Sequence, residues 1–163
     1  MKNKELFYHS VNILQKAYYD NTLRHGDCQA CAVGNLVAGN LGVKYNAEGC
    51  IDWDEPRKSI VRAWFQAINH GFISHNALFI PIVKESIEST KYSPEELMRI
   101  EMAFEYGYKY TEDKGNIYAT IGEDNDGYKG LCEVLDVLME IHEFDAPELD
   151  KTKVFNKEEL ILI

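Results

Sequence analysis

The sequence YSPEELMRIEMAFE, residues 92–105, decides the fold. Ser93 is of a type that caps helix N-termini, and Pro94 suits the first helical position, where the backbone N–H has no intrahelical partner. Glu96 follows Ser93 by three residues, which is the spacing of a capping box. Apolar residues then recur at three- and four-residue steps, at Leu97, Ile100 and Phe104. Together these signals predict an amphipathic helix that begins at Pro94.

The same helical period continues on both sides of this stretch. We expect further helices near residues 3–20 and 28–41, from Pro56 to His70, from Pro81 onward, and over the apolar series from Leu131 to Ile141. No stretch of the sequence alternates between apolar and polar residues in the way that a half-buried strand does. A length of 163 residues fits one domain. The sequence therefore predicts an all-α fold, a single compact domain of five or six helices over residues 1–163.

The sequence RHGDCQACAVGNL, residues 24–36, is the main candidate for chemistry. It places His25, Cys28 and Cys31 at three-residue steps, and zinc takes nitrogen and sulfur ligands of these types. A fourth ligand would come from elsewhere in the chain: Cys50, Cys132, His70 or His75. Zinc is the metal that the motif would hold, but no second clustered pair of ligands accompanies it, and we predict no other cofactor.

The same motif has three other interpretations. Cys28 and Cys31 at a helix start resemble a thiol redox pair, although the βαβ pattern of thioredoxin-like proteins is absent. Alternatively, Asp27 caps the helix and both cysteines pack as small hydrophobic side chains. The third interpretation is a ligand pocket at the helix N-terminus, where free backbone N–H groups favour anions. Its lining would be His25, Asp27, Cys28, Cys31 and Asn35, with Trp64 nearby to stack on a base or sugar.

Two glycines, Gly34 and Gly39, fall inside the helix predicted over residues 28–41. A glycine in a helix interior costs about 1 kcal/mol relative to alanine. We therefore expect another part of the protein, or a ligand, to approach this helix closely.

The net charge of −10 is concentrated in the C-terminal third of the chain. Residues 101–163 carry sixteen acidic and six basic residues, which disfavours duplex nucleic acid as a partner. No apolar run approaches the length that spans a bilayer, and the N-terminus lacks the apolar core of a signal peptide. We expect a cytoplasmic protein with reduced cysteines and no membrane partner. Residues 144–163 form an acidic tail that ends in EELILI, and these apolar residues suggest a homodimer.

Three blocks of the sequence carry a family resemblance: HGDCQACAVGNL, STKYSPEELMRIEMAFE and GLCEVLDVLMEIH. In this order they resemble a group of small uncharacterised proteins from Bacteroidetes genomes and their phages. The blocks cover 42 of the 163 residues of the chain. The resemblance implies an all-α fold and a phage or prophage setting, and it supplies no catalytic residue.

The function that we expect is non-enzymatic, because the sequence lacks a nucleophile elbow, an HExxH helix, a Walker loop and a dinucleotide fingerprint. By analogy with phage accessory proteins, the chain would bind or sequester a small ligand or a host partner, with the effect of countering host defence. One alternative is a zinc- or thiol-dependent enzyme that uses His25, Cys28 and Cys31. Another is an acidic adaptor that captures a basic host protein.

Overall fold

The computed structural model describes residues 3–26, 30–106 and 128–143. They form six α-helices and one 3₁₀ turn: α1 (Lys4–Tyr19), α2 (Ala32–Leu41), α3 (Glu55–Asn69), the 3₁₀ turn (Asn76–Phe79), α4 (Pro81–Thr90), α5 (Pro94–Tyr106) and α6 (Tyr128–His142). In the same ranges, β pairing is limited to one isolated bridge between Tyr45 and Ile51. The all-α fold predicted from helical periodicity is confirmed.

Helix α5 begins at the predicted residue, and its capping box is closed. The backbone N–H of Ser93 donates to Glu96 Oε2 at 2.8 Å, and the N–H of Glu96 donates to Ser93 Oγ at 3.1 Å. Each side chain thereby satisfies a backbone donor at the helix start. The start of α4 at Pro81 and the end of α3 at His70 also agree with the sequence prediction.

The predicted start of α2 at Cys28 is wrong, because the helix begins at Ala32. Its N-cap is Cys31, whose backbone is extended and whose Sγ accepts a hydrogen bond from the N–H of Gly34 at 3.2 Å. The N-cap residue is thus Cys31 rather than the predicted Asp27. Asp27 and Cys28 themselves lie outside the described residues, as does the predicted acidic tail over residues 144–163.

Helix α5 lies at the centre of the packing. It packs against α2, α3 and α6, while α1 packs against α2 and α6, and α4 packs against α2 and α3. The large side chains that these contacts bury completely include Phe7, Leu14, Leu36, Trp64, Phe65, Leu97, Ile100, Phe104 and Leu131. No helix in the described ranges is long and apolar enough to cross a membrane.

The close approach expected at a glycine of α2 occurs at Gly39. A Cβ atom at this position would lie 2.8 Å from Cγ2 of Ile13 and 2.9 Å from Cδ1 of the same residue. The missing side chain lets Ile13 of α1 pack directly on the backbone of α2. Helix–helix packing, rather than a ligand, occupies this position.

Candidate functional site

The loop that precedes α2 is attached to α5 by two glutamates. Both carboxylate oxygens of Glu105 accept from the backbone N–H of Gly26, at 2.9 and 3.0 Å. One turn earlier, Glu101 Oε2 accepts from the backbone N–H of Val33, at 3.1 Å, in the first turn of α2. Gly26 has a φ of +68°, a conformation that favours glycine. The two glutamates therefore fix both ends of the segment that contains the cysteine motif.

Glu101 and Glu105 are both buried, with 1% and 5% of their surface exposed. Burial is the main cause that raises the pKa of Glu101 to about 8, and the neighbouring Glu105 raises it further. Hydrogen bonds from the Val33 N–H and the Cys31 side chain act in the opposite direction. Glu101 Oε1 has no hydrogen-bond partner within the described ranges. These surroundings favour the protonated, neutral form of the Glu101 carboxyl group.

Sequence reasoning missed this pair of glutamates, although a signal was present. Leu97, Glu101 and Glu105 follow one another at four-residue steps, so they lie on one face of α5. Because Leu97 is an apolar residue of the core face, the two glutamates belong to the buried face as well.

His25 lies at the contact between this loop, α5 and α6. Its ring is half-buried, and its centroid is 4.5 Å from that of Phe104. A Cβ atom on Gly130 would lie 2.6 Å from His25 Nε2 and 2.5 Å from the backbone oxygen of Phe104. Gly130 thus lets the first turn of α6 pack directly on the loop and on α5.

Asn35 is fully buried, and its polar atoms are used within the protein. Its Nδ2 donates to the backbone oxygens of Thr22, Ala30 and Cys31 at 2.9–3.0 Å. Its Oδ1 accepts from the hydroxyl group of Tyr45. Asn35 therefore holds the loop in place, and these atoms are not open to a ligand.

Trp64 lies in α3 with 2% of its surface exposed, and its ring packs edge-on against Phe65. The indole N–H has no hydrogen-bond acceptor in the part of the chain that the structure describes. The residue is a core side chain here and presents no open face for stacking. The structure thus places His25, Cys31 and Asn35 around one loop, and Trp64 in the core of α3.

The N-terminus of α2 is occupied by groups of the chain itself. Glu101 accepts from the N–H of Val33, and Cys31 Sγ accepts from the N–H of Gly34. A free anion would have to compete with both. No group of three histidine, cysteine, aspartate or glutamate side chains within residues 3–26, 30–106 and 128–143 is arranged to hold a metal ion.

A second buried polar cluster connects α1, the α4–α5 turn and α6. The hydroxyl groups of Ser10 and Tyr92 are hydrogen-bonded at 2.9 Å, and the Tyr92 hydroxyl lies 2.8 Å from His142 Nε2. Burial raises the pKa of Tyr92 and lowers the pKa of His142, so both side chains are neutral at pH 7. These three residues are far apart in the sequence, and no local pattern indicates that they meet.

Tyr92 also forms part of the wall of a surface groove between the 3₁₀ turn and α4. The groove has a volume of about 460 Å³. Its lining is mainly apolar: Leu78, Phe79, Lys84, Ile87, Glu88, Tyr92 and Pro94. The ring of Phe79 is 85% exposed, and two other exposed apolar side chains, Phe72 and Ile80, lie close to it in the sequence. The groove was not predicted from the sequence. The sequence indicates a helix that begins at Pro81, but it does not indicate that the residues before this helix are exposed.

Comparison of the chain with protein-family models, with curated proteins and with solved structures gives no match.

Proposed function

We propose that this chain is a non-enzymatic accessory protein of phage or prophage type, which binds a host protein through the groove beside Phe79. The observation that supports this proposal is the exposure of an aromatic ring at an apolar groove. Exposed apolar surface of this kind is typical of protein interaction sites. The phage setting, and a role in countering host defence, rest on the resemblance of the three sequence blocks.

The chemistry of the groove favours a protein segment as the partner. Aromatic side chains that enter a partner's pocket often supply much of the binding energy, and burying a phenylalanine contributes about 1.5–3 kcal/mol. The charges at the rim, Lys84 and Glu88, form an ion pair at 3.8 Å, so binding is driven by apolar contacts rather than by net charge. A small ligand is a less suitable occupant, because ligand pockets enclose most of the ligand surface whereas Phe79 stands out in solvent.

The contacts around the cysteine motif also favour the groove as the binding surface. The described polar groups around it, which include Glu101, Glu105 and Asn35, form hydrogen bonds that hold the loop to α2 and α5. We therefore assign the loop a structural role and place the binding function at the groove.

Affinity capture from host lysate tests this function with three forms of the full chain. They are the wild type, Phe79→Asp in the groove and Ile60→Asp, which alters an exposed apolar residue of α3 outside the groove lining. We expect one host protein to be retained by the wild type and Ile60→Asp but not by Phe79→Asp. The purified pair should then show the same order of affinity by calorimetry. A partner that Phe79→Asp retains fully would contradict the groove as the binding surface.

A further inference from the structure

We infer that residues 144–163 of the same chain occupy the groove when no partner is bound, and that a partner must displace them. This inference concerns the regulation of the groove and rests on the proposed function for its biological meaning. The occupancy itself can be tested without knowing the partner.

The first observation is the place where the chain leaves α6. Helix α6 ends at His142, whose Nε2 is 2.8 Å from the hydroxyl group of Tyr92. One half-turn earlier, Glu140 forms an ion pair with Arg99 of α5 at 3.0 Å. Because Tyr92 also lines the groove, the end of α6 contacts a residue of the groove wall.

The second observation is the length of chain available from that point. Phe155 is twelve residues beyond Glu143. An extended segment of this length spans about 40 Å, at roughly 3.3 Å for each residue. The ten residues of α4, which forms one side of the groove, are only about 15 Å long. The apolar residues of the tail therefore reach the whole groove without any change in α6.

The third observation is the chemistry of that segment. Residues 154–163 read VFNKEELILI, and they contain two apolar groups separated by charged residues of both signs. The groove likewise combines an apolar lining with one basic and one acidic side chain, Lys84 and Glu88. A tethered segment also has an effective concentration that reaches the millimolar range for short flexible connections. It consequently occupies the groove in preference to a second copy at micromolar protein concentration.

Photo-crosslinking in the full-length chain tests the inference. The photoreactive amino acid p-benzoylphenylalanine replaces Phe79, and equal amounts of unlabelled and nitrogen-15-labelled protein are mixed before irradiation and peptide mass spectrometry. We expect crosslinks between position 79 and peptides from residues 152–163, with both halves of each product carrying the same isotope. The same photoreactive residue at Ile60 is the control, and it should give no such product.

A paired substitution, Leu160→Asp with Leu162→Asp, should abolish the crosslink while circular dichroism shows an unchanged helix content. Products of mixed isotope would mean that a second copy fills the groove, and this result would overturn the inference. Absence of any product from residues 144–163 would overturn it as well. The two proposals can fail separately. If the crosslink forms but capture does not depend on Phe79, only the proposed function is contradicted. If capture depends on Phe79 but no crosslink forms, only the occupancy of the groove by the tail is contradicted.

Discussion

Glu101 makes the stability of the protein depend on pH in an unusual direction. Burial and the neighbouring Glu105 raise its pKa in the folded state to about 8, whereas the ordinary glutamate pKa is 4.5. Between these values the folded state binds more protons than the unfolded state, so the free energy of unfolding decreases as the pH rises. The contribution of Glu101 is fully present below pH 4.5 and is lost as the pH approaches and passes about 8.

We therefore predict that Glu101→Gln flattens this dependence, because the amide resembles the protonated acid in shape and carries no ionisable proton. Urea unfolding of both proteins between pH 5 and pH 8.5 measures the effect. The substituted protein should gain stability relative to the wild type as the pH increases. Glu95→Gln changes an exposed glutamate of the same helix and should leave the profile unchanged. Parallel profiles for wild type and Glu101→Gln would show that this carboxyl group does not remain protonated.

At the same scale, the sequence brought His25, Cys31 and Asn35 into one candidate motif but did not predict the contacts that they make. His25, Cys31 and Asn35 do lie around one loop. Their partners, Glu101, Phe104 and Tyr45, lie at positions that no local spacing connects with the motif. Because a zinc ligand and a helix cap are compatible with the same three-residue spacing, the sequence alone left both interpretations open.

Among the helices, local sequence signals were sufficient to predict the start of α5, which is determined by adjacent residues. The capping box of α5 needs only Ser93 and Glu96, and the structure confirms it. The start of α2 is capped by Cys31, and its first turn is also held by Glu101, which accepts from the N–H of Val33, 68 residues away in the sequence. The sequence gives no local sign of this long-range contact, and the predicted start was four residues too early.

The contact of α6 with α5 leads to a second prediction at the scale of helices. Gly130→Ala places a methyl group 2.5 Å from the backbone oxygen of Phe104, so a helix must shift. Overpacking of this kind typically costs about 1–3 kcal/mol. We expect thermal and urea unfolding to show a loss in this range.

Gly39→Ala is the matched comparison, since it also introduces one methyl group into a helix. Its new atom meets the side chain of Ile13 rather than backbone, at 2.8–2.9 Å. Because a side chain adjusts more easily and alanine favours the helix, the loss of stability should be smaller than for Gly130→Ala. The reverse order would contradict the contact between the first turn of α6 and α5.

For the molecule as a whole, the sequence predicted the helical class but not the distribution of exposed apolar surface. Hydrophobic periodicity indicates which face of a helix is apolar, and this signal is lost in a short 3₁₀ turn such as Asn76–Phe79. The exposure of Phe79 results from the position of this turn at the edge of the packed helices. The groove is accordingly a property of tertiary structure and the feature on which the proposed function depends.

The homodimer expected from the apolar C-terminal residues remains a prediction, and the proposed occupancy of the groove by residues 144–163 would make it concentration-dependent. At low concentration each tail should fill its own groove, because the tether gives it an effective concentration that reaches the millimolar range. As the protein concentration approaches that range, exchange of tails between two copies should yield a dimer.

Sedimentation velocity measures this change. We expect a monomer at about 10 µM, well below the effective concentration, and a growing dimer fraction towards about 1 mM, near it. Phe79→Asp should suppress the dimer, whereas Ile60→Asp should preserve it. A dimer that persists at 10 µM, or one that is insensitive to Phe79→Asp, would show that another surface joins the two copies.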